Sequence, residues 1–306
     1  MGGERDNQPW AESAALATDE EERMADRDLR RTRALPDEVR AGVRGMWALG
    51  DYNRYSDELD MYQLGRGLVD ACGIGAGQRV LDVGAGTGNV AILAAEAGAD
   101  VVASDIAVEN MKAGEREASE RGVELEWIEG DAQALPFGDG EFDVVTSSAG
   151  AMFAPDQRAV ADELLRVCRP GGTVGMANFT PDGLAGEFFG VLGPYLPPPP
   201  DAPSPLMWGD EAHVRELFGD RVSSLDVSER ELVERVPGPP VEYCELYKQT
   251  FGPVVAAFAS VEDDPERSAD LDREFLEFAT NANVGAPEGP TELRFKYVLV
   301  LARKRG

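Results

Sequence analysis

An apolar run that breaks into alternating glycines, Val80-Leu81-Asp82-Val83-Gly84-Ala85-Gly86-Thr87-Gly88-Asn89, constrains this chain more than any other stretch. Val80 to Val83 has the make-up of a strand buried on both faces, and Val90, Ile92 and Leu93 among alanines read as the helix that follows. A strand, a tight glycine turn and a helix together form a ligand cradle. Glycine permits positive φ and takes the Cβ out of a ligand's path, while the first helical turn offers unpaired N–H groups. Which ligand fits depends on the spacing: a dinucleotide site takes G-x-G-x-x-G, whereas here the glycines stand at 84, 86 and 88 behind an acid, Asp82. A carboxylate at that place suits a ligand with an ammonium and a sulfonium, and repels a pyrophosphate.

With those residues the stretch resembles motif I of the class I S-adenosylmethionine-dependent methyltransferases, which makes Asp82, Gly84, Ala85, Gly86, Gly88 and Asn89 candidate cofactor residues. Asp100 to Asp105 is a second short apolar strand ending in an acid about 20 residues past the glycine turn, where a ribose-binding carboxylate belongs. Asp105 is thus expected to accept from the ribose hydroxyls and Ile106 to lie against the adenine; a helix N-cap and a core residue are the alternatives. Glu124 to Glu129 alternates acids with Leu125, Trp127 and Ile128, as an edge strand does, and leads into Gly130-Asp131-Ala132-Gln133-Ala134-Leu135-Pro136-Phe137. This resembles the G-D-A-x-x-L-P-F signature of methyltransferases related to ubiquinone and menaquinone biosynthesis enzymes. The resemblance implies that Asp131 accepts from the adenine amino group and that the next backbone N–H, at Ala132, meets a ring nitrogen, with Gln133 beside them. An ordinary Asx-capped turn is the alternative.

Glu141 to Ser148 reads as the central fourth strand, and the small residues Ser147, Ser148, Ala149 and Gly150 at its end leave room for a methyl group and its acceptor. Ser147 joins the cofactor candidates; Met152 and Phe153 either flank the sulfonium or substrate or pack against the next helix. Asp156 to Cys168 follows as an amphipathic helix, stopped by Arg169-Pro170-Gly171-Gly172 before a strand from Thr173 to Phe179. Leu164 to Gly172 is similar to the family's R-V-L-x-P-G-G segment, with Cys168 in place of the leucine. The implied fold is α/β: a doubly wound, seven-stranded, mostly parallel Rossmann-like sheet whose last strand, Glu292 to Leu301, is antiparallel and inserted beside the fifth.

The rest of the chain divides around that core. Residues 1–33 read as an acidic, flexible arm, 34–76 as a helical cap, 77–180 as the S-adenosylmethionine-binding core, 181–285 as a substrate lid with a sixth strand, and 286–306 as the last core strand. The cap is expected as two helices joined by Gly50 to Tyr55, and in related enzymes helices placed there close over the cofactor. Tyr52, Arg54 and Tyr55 are therefore candidates for the cofactor carboxylate or the substrate, with loop packing as the alternative. The lid is expected to hold a short helix within Pro181–Pro194 carrying Leu184, Phe188, Phe189 and Val191, a stiff spacer from Tyr195 to Pro200, a helix capped by Asp210, a strand from Val222 to Val236, and two helices over Pro239–Ser260 and Pro265–Asn281. Aromatics at Tyr243, Tyr247, Phe251, Phe258, Phe275 and Phe278 are core or pocket wall; Tyr195 is a further substrate candidate.

Composition narrows the partners. The formal charge of −28, from 57 acids against 29 bases, repels nucleic acid and anionic membranes and points to a small-molecule acceptor; it fits either a high-salt habitat or a merely acidic, arginine-biased chain. Cys72, Cys168 and Cys244 have no pairing or metal spacing, which with the lack of an apolar leader or span suggests a cytoplasmic protein. Methyl transfer from a sulfonium requires alignment and exclusion of water, and a base only if the acceptor must lose a proton. His213, the one histidine, is a weak candidate for that base, and lid carboxylates or tyrosines are others. No metal cluster is spaced in the sequence, so metal-independent transfer is expected. Two other functions stay open: an S-adenosylmethionine-binding protein without catalysis, and an NAD-dependent oxidoreductase. The sequence carries no sign of oligomeric state.

Overall fold

The computed structural model describes residues 33–197 and 202–306. All but the last residue of the expected acidic arm, and the Pro198-Pro199-Pro200 part of the expected spacer, lie outside the described residues. The core is one seven-stranded sheet: β1 (Arg79–Val83), β2 (Asp100–Asp105), β3 (Glu126–Glu129), β4 (Phe142–Ser148), β5 (Cys168–Phe179), β6 (Val222–Val236) and β7 (Thr291–Lys304), in the order β3-β2-β1-β4-β5-β7-β6. β1 to β5 are mutually parallel, and β7 runs antiparallel to both β5 and β6.

Successive residues of β1 point to opposite faces of the sheet, yet Val80 and Leu81 are both fully buried. Val80 packs with Ala91 and Ala94 on one face, while Leu81 belongs to the larger cluster that includes Leu164 and Val174. A strand without polar alternation is what two helix-covered faces require. The break at Arg169 to Gly172 does not end before the strand, as the sequence suggested. β5 already begins at Cys168, opposite Phe142, and the register with β4 shifts before Val144 meets Thr173. Gly171, at φ +70°, lets the extra residues be absorbed as a bulge.

The helices are α1 (Asp37–Trp47), α2 (Tyr52–Glu58), α3 (Tyr62–Cys72), α4 (Ala91–Glu96), α5 (Val108–Glu120), α6 (Gln157–Val167), α7 (Leu184–Leu192), α8 (Glu211–Phe218), α9 (Pro240–Thr250), α10 (Gly252–Ala259) and α11 (Pro265–Ala282). The cap therefore has three helices rather than two. The supposed linker is itself helical because the Asp51 side chain accepts from Arg54 N–H at the N-terminus, and Asp60, at φ +49°, separates α2 from α3. The lid helix expected over Pro239–Ser260 is likewise split, into α9 and α10, since Pro253 offers no N–H to continue the ladder past Phe251.

β5 pairs with β7 only as far as Phe179 opposite Tyr297, while β6 and β7 continue together to Val236 opposite Thr291. β6 is parallel to β5, so this ribbon overhangs the edge where the parallel strands end. The overhang becomes a wall above the switch point between β1 and β4.

The loop after β3 is clamped to α6 by buried charge. Glu163 is 3% exposed, accepts from Leu135 N–H at 2.7 Å, and pairs with Arg166, which also donates to the carbonyls of Leu135 and Phe137. Glu163→Ala leaves that guanidinium and the Leu135 amide short of a partner. Urea unfolding should show a loss of roughly 3 kcal/mol, at the low end for a broken buried pair because Arg166 keeps Asp139.

Candidate active site

The carboxyl ends of β1 and β4 meet through glycine. Gly84 has φ +66°, and a Cβ on it would lie 2.8 Å from the backbone of Gly150, so the two turns touch closely enough that no other residue fits. Gly86, at φ +57°, is the opposite case, since a Cβ there meets nothing within 4 Å. The first glycine makes the turn and the second opens it to a cavity. Gly88, at φ +90°, faces inward, where a Cβ would collide with Trp127 and Ile92.

This cavity is lined on one side by Gly84, Ala85, Gly86, Thr87 and Asn89 of the turn, with Asp105, Ile106, Gly130 and Ala132 from the ends of the neighbouring strands. Asp105 is 9% exposed; its Oδ2 accepts from Gly86 N–H at 2.8 Å and its Oδ1 from Ala107 N–H at 2.7 Å. Burial raises its pKa and the backbone donors oppose that rise. Each oxygen retains lone pairs for hydroxyl donors. Asn89 Oδ1 is buried with no partner among the described residues, an acceptor still to be satisfied.

On the other side the wall is aromatic. Trp47 of α1, Tyr52 and Tyr55 of α2, Phe153, Phe188 and Phe189 of α7, Tyr247 of α9 and Phe251 all line the same cavity, with Phe179 and Phe295 from the sheet. Trp47 and Phe153 have ring centroids 4.9 Å apart, Phe153 and Phe189 5.9 Å, and Tyr55 stacks on Phe251 at 5.4 Å. One acid enters this wall: Glu234, near the end of β6, is 1% exposed and accepts from the phenols of Tyr243 and Tyr247.

Other sequence candidates stand elsewhere. Asp82 is 1% exposed and lies beneath the turn, where it accepts from Thr146 Oγ1 at 2.9 Å and from the Ala91 N–H; burial pushes its pKa up to about 7. Ser147 does not reach the cavity, because its hydroxyl donates to Val83 O and accepts from Ala151 N–H, tying β4 to the turn after it. Asp131 accepts from Leu35 N–H at 2.8 Å and Gln133 N–H at 2.9 Å, so it anchors the start of the cap beside the cavity rather than lining it. Gln133 faces away, with its amide on Arg33 O and Asp156 N–H. Met152 is wholly buried in the core, and Tyr195 sits outside the cavity, its hydroxyl on Glu274 and its ring under Arg267. His213 is also remote, with Nε2 2.7 Å from Gln157 Oε1 in an open groove beside α8.

Glu234 was not singled out from the sequence, although a signal exists. Leu232, Glu234 and Val236 share one phase of the strand, so the acid falls in register with buried apolar neighbours. The convergence of Trp47, Phe188, Phe189 and Phe251 had no such signal, because these residues come from elements far apart in the chain. Of the six lid aromatics, Tyr247 and Phe251 line the cavity and the others pack behind it.

The sheet order with its antiparallel β7 and the glycine turn at the switch point define a class I S-adenosylmethionine-dependent methyltransferase, and the chain belongs to that family. The family model described as a methyltransferase domain matches residues 81–176. An uncharacterized protein of Mycobacterium tuberculosis is 41% identical over 276 residues, covering 90% of this chain and 98% of that protein. A demethylmenaquinone methyltransferase of Renibacterium salmoninarum is 42% identical over 148 residues, 47% of this chain and 60% of the other. The YcgJ protein from Bacillus subtilis shares the fold, with a TM-score of 0.54 at 20% identity over 80% of this chain and 99% of that one. Family membership sets aside the nicotinamide-dependent alternative. Among the described residues no helix is long and apolar enough to cross a membrane.

Two predictions test this geometry. Gly84→Ala must either force the backbone of Gly150 away or abandon the positive φ, and is expected to cost about 1–3 kcal/mol in denaturant unfolding. Asp82 binds its proton more tightly folded, with a pKa of about 7 against 3.8 unfolded. It therefore weakens the fold as pH rises between those values. The stability of Asp82→Asn relative to the wild type should accordingly improve by a few kcal/mol from pH ~4 to ~7, measured by thermal unfolding across that range; a flat difference would mean that Asp82 is charged throughout.

Proposed function

We propose that this chain transfers the methyl group of S-adenosylmethionine to an O, N or C atom of a small apolar or aromatic metabolite, without a metal ion. The observation that carries this reading is a single cavity with a glycine and carboxylate side continuous with an aromatic chamber. The residues present fit the cofactor: Gly86 leaves open space, Asn89 Oδ1 awaits a donor, and Asp105 has lone pairs free. In this reading Asp105 holds the ribose hydroxyls, Ile106 and Ala132 the adenine faces, and Asn89 with the turn at Gly84 to Gly86 the amino-acid end. Asp131, which stands beside the cavity, would instead hold Leu35 at the start of the cap over it. When bound, the cofactor supplies a methyl group already activated on a sulfonium.

What remains for the protein is alignment and dryness. The rings around the chamber exclude water, and aromatic faces attract a cation within reach, which favours the positively charged donor and an aromatic acceptor. Residues 34–76 and 181–285 would set specificity, since cap and lid supply most of those rings. The partial likeness to a demethylmenaquinone methyltransferase supports an aromatic acceptor, and the unpaired Cys72, Cys168 and Cys244 fit a reducing cytoplasm.

Calorimetric titration with S-adenosylmethionine and S-adenosylhomocysteine, at low and high salt, is the direct test. Micromolar binding is expected, weakened by roughly 1–3 kcal/mol in Asp105→Ala, the usual loss for a charged hydrogen-bond partner. No binding at either salt would overturn the proposal; binding without transfer to any acceptor would favour a non-catalytic role.

A further inference from the structure

We propose that Glu234 is the general base of this site, receiving the proton of an acceptor O–H or N–H either directly or through the hydroxyls of Tyr247 and Tyr55. The proposal rests on the methyltransferase reading above and adds to it the class of acceptor: an aromatic or apolar molecule that carries an ionisable hydrogen on the atom to be methylated.

The geometry is specific. Glu234, Tyr247 and Tyr55 all line the cavity that also holds Asp105 and the glycine turn. The Tyr247 hydroxyl lies 2.9 Å from both Glu234 oxygens, Tyr243 donates at 2.8 Å, and the Tyr55 hydroxyl lies 3.3 Å from that of Tyr247. Since Tyr247 has one proton to give, it donates to Glu234 and accepts from Tyr55. The result is a directed chain of hydroxyls ending on a carboxylate. Among the described residues no Lys, Arg or His pairs with Glu234, so nothing cationic holds it permanently charged.

Burial accordingly lifts its pKa to about 7, opposed by the two phenols. The titratable groups facing it are Tyr243 and Tyr247 from α9 and Tyr55 from α2, all pushed upward by burial and therefore neutral in this range. Across the ladder β7 sets Leu293, and the neighbours in its own phase are Leu232 and Val236. A carboxyl group that is half ionised near neutrality in a dry pocket is matched to general-base work. A purely structural carboxyl would have been met by a cation, or would face away from the cavity.

In the step itself, the acceptor's lone pair forms the new bond to the methyl carbon while the carbon–sulfur bond breaks and leaves its electron pair on sulfur. The acceptor's O–H or N–H bond gives its electrons to the methylated atom, and the proton passes to Glu234. The carboxylate ends neutral, the acceptor keeps its original charge, and the positive charge of the sulfonium is cancelled by the negative charge of the base.

The experiment uses the whole chain saturated with S-adenosylhomocysteine, comparing wild type with the near-isosteric Glu234→Gln. Infrared difference spectra across pH need no acceptor: a protonated-carboxyl band that titrates near neutrality in the wild type and is missing in Glu234→Gln is expected. Asp82 titrates in the same range but lies under the glycine turn and is present in both proteins, so the difference isolates Glu234. A Glu234 band absent at every pH, or one that never loses its proton, overturns the proposal. With methyl-labelled donor and a panel of phenols and aryl amines, Glu234→Gln should lose about 100-fold or more in kcat/KM, together with the rising pH limb near neutrality. An unchanged rate and limb would also overturn it. Calorimetry with S-adenosylhomocysteine separates the two failures: unchanged affinity in Glu234→Gln with lost transfer supports the base, whereas absence of binding in the wild type means that the methyltransferase reading itself has failed. If no member of the panel is methylated, the infrared titration decides alone.

Discussion

The contact between Gly84 and Gly150 is the constraint on which the site depends. A Cβ on either residue would be driven into the backbone of the other. The turns after β1 and β4 can therefore sit against each other only while both are glycine, and that closeness sets the floor of the cavity. Ser147 fixes it from below by bridging Val83 O and Ala151 N–H. A larger residue at 84 or 150 would lift one turn off the other, and Asp105 would lose the register that brings Gly86 N–H to its oxygen.

The glycine and carboxylate side of the cavity was legible because its parts are local. A glycine at 84 or 86 means positive φ whatever surrounds it, and an acid ending the next parallel strand must stand beside that turn. Sheet order and the antiparallel β7 followed from the motif spacing and the resemblance it carried. Sequence reasoning failed where partners decide. Ser147 and Asp82 have suitable chemistry at suitable positions, yet each is consumed by neighbours one strand away. The split of α9 from α10 turned on Pro253, a local signal outweighed by the apolar periodicity around it.

The aromatic chamber could not have been read in the same way. Its rings come from α1, α2, the turn after β4, β5, α7, α9, Phe251 and β7, segments far apart in the chain, and each ring alone looks like core. Only the packing of cap against lid turns them inward; Tyr52, for example, is placed by accepting from Gly252 N–H at 3.1 Å. A hydrophobic stripe encodes that a residue is covered, without encoding what covers it. Glu234 is the partial exception, since a glutamate in the buried phase of a strand must find donors or remain neutral.

Sheet order also keeps the two carboxylates of the cavity apart. Asp105 ends β2 and Glu234 lies near the end of β6, five steps apart in the sequence β2-β1-β4-β5-β7-β6. At about 4.8 Å a step, that separation is on the order of 20 Å at the backbone, too far for both carboxylates to serve one functional group. The glycine turn on β1 and the small residues ending β4 fall between them, which is where the proposed reaction would bring donor and acceptor together. The overhanging β6–β7 ribbon then has a physical consequence: only strands that continue past Phe179 can carry an acid above the sheet edge to the aromatic side of the cavity. Tyr243 and Tyr247, on the helix directly after that ribbon, supply the hydrogen bonds that a carboxylate in an aromatic wall requires.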